Sequence, residues 1–198
     1  KNIDYNNKKS KLITFHTTST SMTKYIFNVN NYYETITSKN LKNILSFKKE
    51  TSQPNLINTL KTYQKNNKVI YTNSSITIPE NTYNIFSLLY FISQNKITNE
   101  LIVSIEREGL LYEGIITPIE IKSNNIIKYE LILNNNTPHK NNPIIKNTDI
   151  FTWALFKKKS EKYITVDYNT KEIIECIFKA GLIKMIARNK QYKIKRGI

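Results

Sequence analysis

Hydrophobic residues in this chain recur with a period of two almost everywhere and with a helical period in one place, and that contrast constrains the fold more than any other feature. Alternation sends successive side chains to opposite faces of a strand, whereas recurrence at i, i+3, i+4 and i+7 lines one face of a helix. Ile85, Leu88, Leu89 and Ile92 follow the helical spacing, Phe86 and Tyr90 widen the stripe, and only Asn84, Ser87 and Ser93 interrupt it. Pro79 ends the segment before it, and Asn81 or Thr82 offers an N-cap, so the spacing predicts a helix over Thr82 to Gln94. A helix this apolar belongs inside the protein, as plug or cover of the core.

The rest reads as strands and turns. Residues 1–10 are polar and predict a flexible arm, and residues 11–198 a single β-rich domain. Tyr25, Phe27 and Val29 alternate with Lys24, Ile26 and Asn28 and predict a strand that turns at Asn30 and Asn31. Further strands are predicted at Leu41 to Lys49, Leu56 to Tyr63 and Lys68 to Thr72, the last two joined by a hairpin turn at Asn66-Asn67. After the helix, Leu101 to Glu106 leads through Glu108-Gly109 into Leu110 to Lys122, where Pro118 marks an edge or a bend. Ile126 to Leu133 follows, then a loop rich in Asn and Pro. Phe151, Trp153 and Leu155 alternate with Thr152, Ala154 and Phe156, and open a closing meander that includes Lys162 to Val166, Glu172 to Phe178 and Leu182 to Arg188. The expected class is mainly β: a strongly curved antiparallel sheet, or a partly open barrel, with one apolar helix packed on or in it.

Composition narrows the function. The chain of 198 residues suits one domain, and its formal charge is +15. Yet only Arg107, Arg188 and Arg196 are arginines among 30 basic residues. Arginine is the residue for bidentate recognition of phosphate and guanine, so nucleic acid is the weaker reading of this charge. Enrichment in Lys, Asn and Ile matches an AT-rich genome, with attraction to anionic head groups as a second consequence. Cys176 is the only cysteine, which removes disulfides and cysteine-based zinc sites. No run approaches the ~18 apolar residues that span a bilayer as a helix. The chain opens at Lys1 rather than Met, a start compatible with a removed signal segment.

Three stretches stand out together: Tyr25-Ile-Phe-Asn-Val with Tyr33-Glu34-Thr35, the apolar run Asn84 to Ile92, and Thr165 to Lys171 followed by Gly181-Leu-Ile-Lys184. In these the chain resembles the bacterial family known as domain of unknown function 3108. The chain departs from the family at Asn84, where an acidic residue is usual, and at Glu172, where proline often stands. The resemblance implies an exported protein, periplasmic or associated with the outer membrane, built on a strongly curved antiparallel sheet. The family has no assigned function to transfer.

For catalysis, the one nucleophile–base set to weigh is Ser87 with His139 as base and Asp149 as orienter, which would make a lipid or ester hydrolase. A helical serine more commonly bonds back to a carbonyl, and no Gly-x-Ser-x-Gly elbow is present. Glu106 and Glu108 would share a strand face, as a solvated edge or as partners of lysines. Lys157, Lys158, Lys159, Lys162, Lys190, Lys193, Lys195 and Arg196, interleaved with Tyr163, Tyr168 and Tyr192, are the candidates for a nucleic-acid face; charged sheet edges against aggregation explain them better. His16 has no metal-binding companion, and no metal or cofactor is expected. The most physical binding reading is an apolar pocket for a lipid-like or fatty-acid-like ligand, walled by Phe86, Leu89, Tyr90, Trp153 and Phe178. The expectation is thus a non-enzymatic envelope protein that binds such a ligand or an envelope partner, with electrostatic contact to an anionic membrane surface.

Overall fold

A computed structural model describes residues 1–20, 24–122, 125–137, 143–145, 147–181, 183–189 and 192. Among the described residues it contains thirteen strands and two helices. The strands form two antiparallel sheets, neither closed into a barrel. Sheet 1 is a meander of β1 (Asn2–Tyr5), β2 (Lys8–Thr18), β3 (Asn30–Ser38), β4 (Ile44–Gln53), β5 (Leu56–Lys65), β6 (Lys68–Ile70) and β7 (Ser75–Thr77), adjacent in chain order. Helix α1 (Ile85–Gln94) follows. Sheet 2 comprises β8 (Leu101–Arg107), β9 (Leu110–Lys122), β10 (Ile126–Asn135), β11 (Glu161–Asp167), β12 (Glu172–Ala180) and β13 (Ile183–Arg188), again in chain order, with α2 (Ile150–Phe156) between β10 and β11.

Two sheets therefore stand where one curved sheet or a partly open barrel was expected. Helix α1 lies against β2 and β3 of sheet 1 and against β8, β11 and β12 of sheet 2. This position explains its composition. Phe86 stacks on Tyr33 at 4.2 Å between ring centroids and also meets Phe15 and Phe47, all from sheet 1. Ile85, Leu88, Leu89 and Ile92 are buried with it in a core that takes in Ile105, Ile116, Tyr129, Leu131, Ile164 and Phe178 from sheet 2. Each such side chain removed from water contributes roughly 1.5–3 kcal/mol.

The helix ends are specified by side chains. Asn84, rather than Asn81 or Thr82, is the N-cap: its side chain accepts from the Ser87 amide at 2.8 Å, and the Asn84 amide donates to the Ser87 hydroxyl at 3.1 Å. Asn84 also donates to the Thr35 hydroxyl of β3, while the neighbouring Tyr83 backbone bridges to β8 through Ser104 and Glu106. The helix start is thus fastened to both sheets. At the other end the Tyr168 hydroxyl donates to the Ile92 carbonyl at 2.8 Å, and the Tyr129 hydroxyl lies 2.7 Å from that of Tyr168.

Three other expectations change. Residues 1–10 are not a loose arm: Asn6 and Asn7, at φ of 49° and 61°, form the turn that pairs β1 with β2. Tyr25 to Val29 is not a strand; β3 begins at Asn30, and Tyr25, Ile26 and Phe27 lie exposed in the β2–β3 loop. Phe151 to Phe156 is helix α2, because Asp149 caps it and Phe151, Ala154 and Leu155 then fall on one buried face. Pro118 does mark an irregularity, where the β9–β10 register slips.

Gly114 shows how tightly sheet 2 packs. A Cβ there would sit 2.5 Å from Cδ1 of the fully buried Ile105 and 3.2 Å from Val103. Gly114→Ala should lower stability by about 1–3 kcal/mol through overpacking. Leu88→Ala should lower it by about 2–5 kcal/mol through the cavity it leaves. Urea unfolding monitored by circular dichroism reads both; an unchanged midpoint for Leu88→Ala would mean that α1 is not the shared core.

Candidate functional site: a buried charge cluster and an exposed apolar loop

The inward face of β4 carries Phe47, Lys49 and Thr51 in alternation, so a lysine projects towards the interior. Its aliphatic stem is buried and its ammonium meets the β8–β9 turn and the start of α2. Lys49 Nζ donates to Glu108, to Asp149 Oδ2 at 3.2 Å and to the Thr148 hydroxyl at 3.1 Å. Lys49, Glu108 and Asp149 are each less than 5% exposed. Thr148 in turn donates to Glu108 at 2.7 Å, and Arg107 binds the second Glu108 oxygen at 3.1 Å. Asp149 Oδ1 accepts from the Tyr33 hydroxyl at 2.6 Å and from the Thr152 amide at 2.9 Å. Each carboxylate thus has a cation and further donors, the condition for keeping a buried ion network.

Glu106 sits beside this cluster and forms no ion pair among the described residues. Tyr71 of the segment after β6 donates to Glu106 Oε1, and the Gly109 amide donates to the same oxygen at 2.9 Å. A void of about 20 Å³, room for about one water, is bordered by Lys49, Tyr71, Glu106 and Glu108. Burial pushes the Glu106 carboxyl up to about 7 against the pull of Tyr71 and Gly109. Burial also acts upward on Asp149, but the Lys49 ammonium, Tyr33 and Thr152 together hold it below the usual carboxylate range. Burial, with the Asp149 carboxylate beside it, drives the Tyr33 phenol far above its ordinary range, so it is a permanent donor.

This arrangement joins the two sheets and α2, with the Lys49 ammonium and the Thr148 hydroxyl both engaged by Glu108. Among the described residues no group of His, Cys, Asp and Glu is placed to hold a metal. Ser87 is fully buried, and its hydroxyl donates to the Asn84 carbonyl and accepts from the Asn84 amide. Asp149 serves Tyr33, Lys49 and Thr152 as described. His139 lies outside the described residues. Burial pushes the Cys176 thiol up to about 12, far from a reactive thiolate.

The expected pocket walls separate. Phe86, Leu89 and Phe178 are buried in the core, with Phe151 packed between Phe86 and Phe178. Tyr90 is half-buried under the Lys11 ammonium, and Trp153 is exposed with Lys157 over its ring. Glu106 and Glu108 form no solvated edge, although Glu108 does pair with a lysine. Of the proposed nucleic-acid face, Tyr168 is engaged at the end of α1, Tyr192 donates to Asp167, and Tyr163 lies under Lys128 and Lys179. Lys190, Lys193, Lys195 and Arg196 lie outside the described residues. Lys49, Tyr33 and Tyr71 escaped the sequence reading, though the parity of Lys49 with Phe47 was the signal that could have found it.

Comparison of the chain with protein-family models, with curated proteins and with solved structures finds no match.

Two outcomes follow from the cluster. Lys49→Met should destabilise by about 3–5 kcal/mol, because Glu108 and Asp149 stay buried without their shared cation; denaturant unfolding at neutral pH reads this. For Glu106, the folded carboxyl titrates above its unfolded value, so its contribution is fully present below pH 4.5 and is lost as pH rises through about 7. For Asp149 the sign is opposite: its contribution is present above 3.8 and is lost as pH falls through its lowered folded value. Glu106→Gln should therefore flatten the loss of stability between pH 4.5 and 7 without touching the acid limb. A pH series of unfolding midpoints that is superimposable on wild type would exclude this assignment.

Proposed function

We propose that this chain is a non-enzymatic protein of the bacterial cell envelope that works by binding a partner protein there, through its β2–β3 loop. The observation that carries the reading is the triplet Tyr25-Ile26-Phe27, in which Tyr25 is 94% and Ile26 89% exposed. Contiguous large apolar side chains in water are what protein interfaces bury. The loop is tied at its base: the Val29 amide donates to the Ser19 hydroxyl at 2.8 Å, and the Ser19 amide donates to the Val29 carbonyl at 3.1 Å. A tied base limits the ordering cost that a partner would have to offset. Ile57, just past the β4–β5 turn and 86% exposed, extends the apolar surface at the same end of sheet 1.

Kinship with the domain 3108 family, export to the periplasm or outer membrane, and strong curvature of the two sheets around the apolar helix belong to this same reading; they rest on the apolar run Asn84 to Ile92 and on Thr165 to Lys171 with the stretch from Gly181, since Tyr25 to Val29 of the first motif lies in a loop. A lipid-like ligand is the second reading. It is favoured by the half-buried Tyr90 and exposed Trp153, and disfavoured by the close packing of Phe86, Leu89 and Phe178. A hydrolase is disfavoured by the commitment of Ser87 to the helix cap.

Site-specific photocrosslinking decides between partner and lipid. A photoreactive residue at Ile26 in the native cells should give one discrete protein adduct in the envelope fraction, lost in Tyr25→Ser/Phe27→Ser. The same residue at the exposed Thr14 should give none. Adducts that are equal at both positions would end the proposal, and a lipid adduct at Ile26 would transfer it to the second reading. In a chromogenic-ester assay, wild type and Ser87→Ala should both match the uncatalysed rate.

A further inference from the structure

We propose that the end of sheet 1 opposite the apolar loop is a docking face for an anionic lipid surface. The antiparallel register gathers three connections at that end. They are the β1–β2 turn at Asn6-Asn7, the β3–β4 connection at residues 39–43, and the β5–β6 turn at Asn66-Asn67. Lys8 and Lys9 flank the first, Lys39 and Lys42 lie in the second, and Lys65 and Lys68 bracket the third. All six are exposed, and none takes part in an ion pair among the described residues. Among the described residues of sheet 1 and its connections, the acidic ones at this end are Asp4, which pairs in register with Lys9, and Glu80, beyond β7. Six cations against two anions make it a local concentration of positive charge rather than a mixed polar surface.

Geometry favours a surface over a point ligand. With neighbouring strands ~4.8 Å apart, the lysines from β2 to β6 spread over about 20 Å. A cleft of about 360 Å³ opens among them, bordered by Asn2, Ile3, Asp4, Lys9, Ser10 and Lys39. The charges stand on turn tips, where flexible stems let ammonium groups follow a fluid array of phosphates. All six are lysines; the planar fork that reads bases and grips single phosphates bidentately is missing from this end. Charge complementarity with a leaflet rich in anionic head groups is therefore the better match, ahead of a nucleic acid. The apolar loop lies at the far end of β2, whose 11 residues put it about 35 Å away. Lipid docking here leaves that loop clear, so the proposal stands independently of the partner-binding reading.

Vesicle co-sedimentation tests it, using the full chain with phosphatidylglycerol/phosphatidylcholine vesicles and with pure phosphatidylcholine vesicles. Binding should appear on the anionic vesicles only and weaken as salt is raised. K8E/K39E/K65E should weaken it by at least about a hundredfold, taking about fivefold for each lysine lost near a charged leaflet and further repulsion from each glutamate gained. K24E/K158E/K184E carries the same net charge and should bind nearly as wild type does. Tyr25→Ser/Phe27→Ser should also bind as wild type, which separates this face from the loop. Circular dichroism of each variant establishes that it is folded. Equal losses in the two lysine triplets would reduce the effect to net charge and overturn the proposal. So would binding to neutral vesicles of equal strength, or tighter binding to a duplex DNA than to the anionic vesicles at the same salt.

Discussion

Helix α1 is the element on which both sheets depend. Each sheet has one apolar face, and most of the connections within the sheets are turns at their ends; α2, in the β10–β11 connection, covers part of sheet 2, and the rest of both faces needs α1. The helix lies between them, apolar on the side of β2 and β3 and apolar again on the side of β8, β11 and β12. A helix buried this way loses the usual polar stripe, and its ends need partners other than water. Asn84, Ser87, Tyr129 and Tyr168 supply them. The two serines of the helix, Ser87 and Ser93, are tolerated inside because each donates to a carbonyl three residues back.

Where the helix does not reach, the sheets meet through charge and through a small apolar cluster of Val69, Tyr71 and Ile78 with Leu111 of β9. Lys49 is held by Glu108 and Asp149, and Tyr71 by Glu106. A seam of this kind is weaker evidence for stability than for register. Well-packed apolar residues of similar volume often do as well energetically, but they would not demand one alignment of the sheets. The positive φ of Glu108, 52°, fits this view. A glutamate in the left-handed region costs free energy, offset here by a side chain that bonds Lys49, Thr148 and Arg107 at once.

Much of the β framework was legible because alternation, Asn pairs and Glu108-Gly109 name strands and turns directly. The failures have physical causes. Asn6-Asn7 forms the same left-handed pair as Asn66-Asn67, but β1 is only four residues long, too short for the alternation of Ile3 and Tyr5 with Asn2 and Asp4 to mark a strand by itself. Phe151 to Phe156 is apolar at every second position and also at i, i+3 and i+4; a run that short fits both periods, and only the Asp149 cap decides. Tyr25 to Val29 alternates yet has no sheet to cover its apolar side. The charge cluster was hidden because its members come from β3, β4, the β8–β9 turn and the start of α2, and side chains that far apart in sequence meet only once the sheets are docked.

That separation bears on how the molecule assembles. Residues 2–77 contain every strand of sheet 1, and residues 101–188 every strand of sheet 2, so each meander zips from hairpins between neighbours in the chain. Asp149 meets Lys49, 100 positions away, and Tyr33, 116 away, only across the docked sheets. Docking is then the step of longest loop closure, and it must strip water from several ions at the moment the loop is closed. The topology therefore places that closure in bringing the two sheets together on α1, the surface that both must meet.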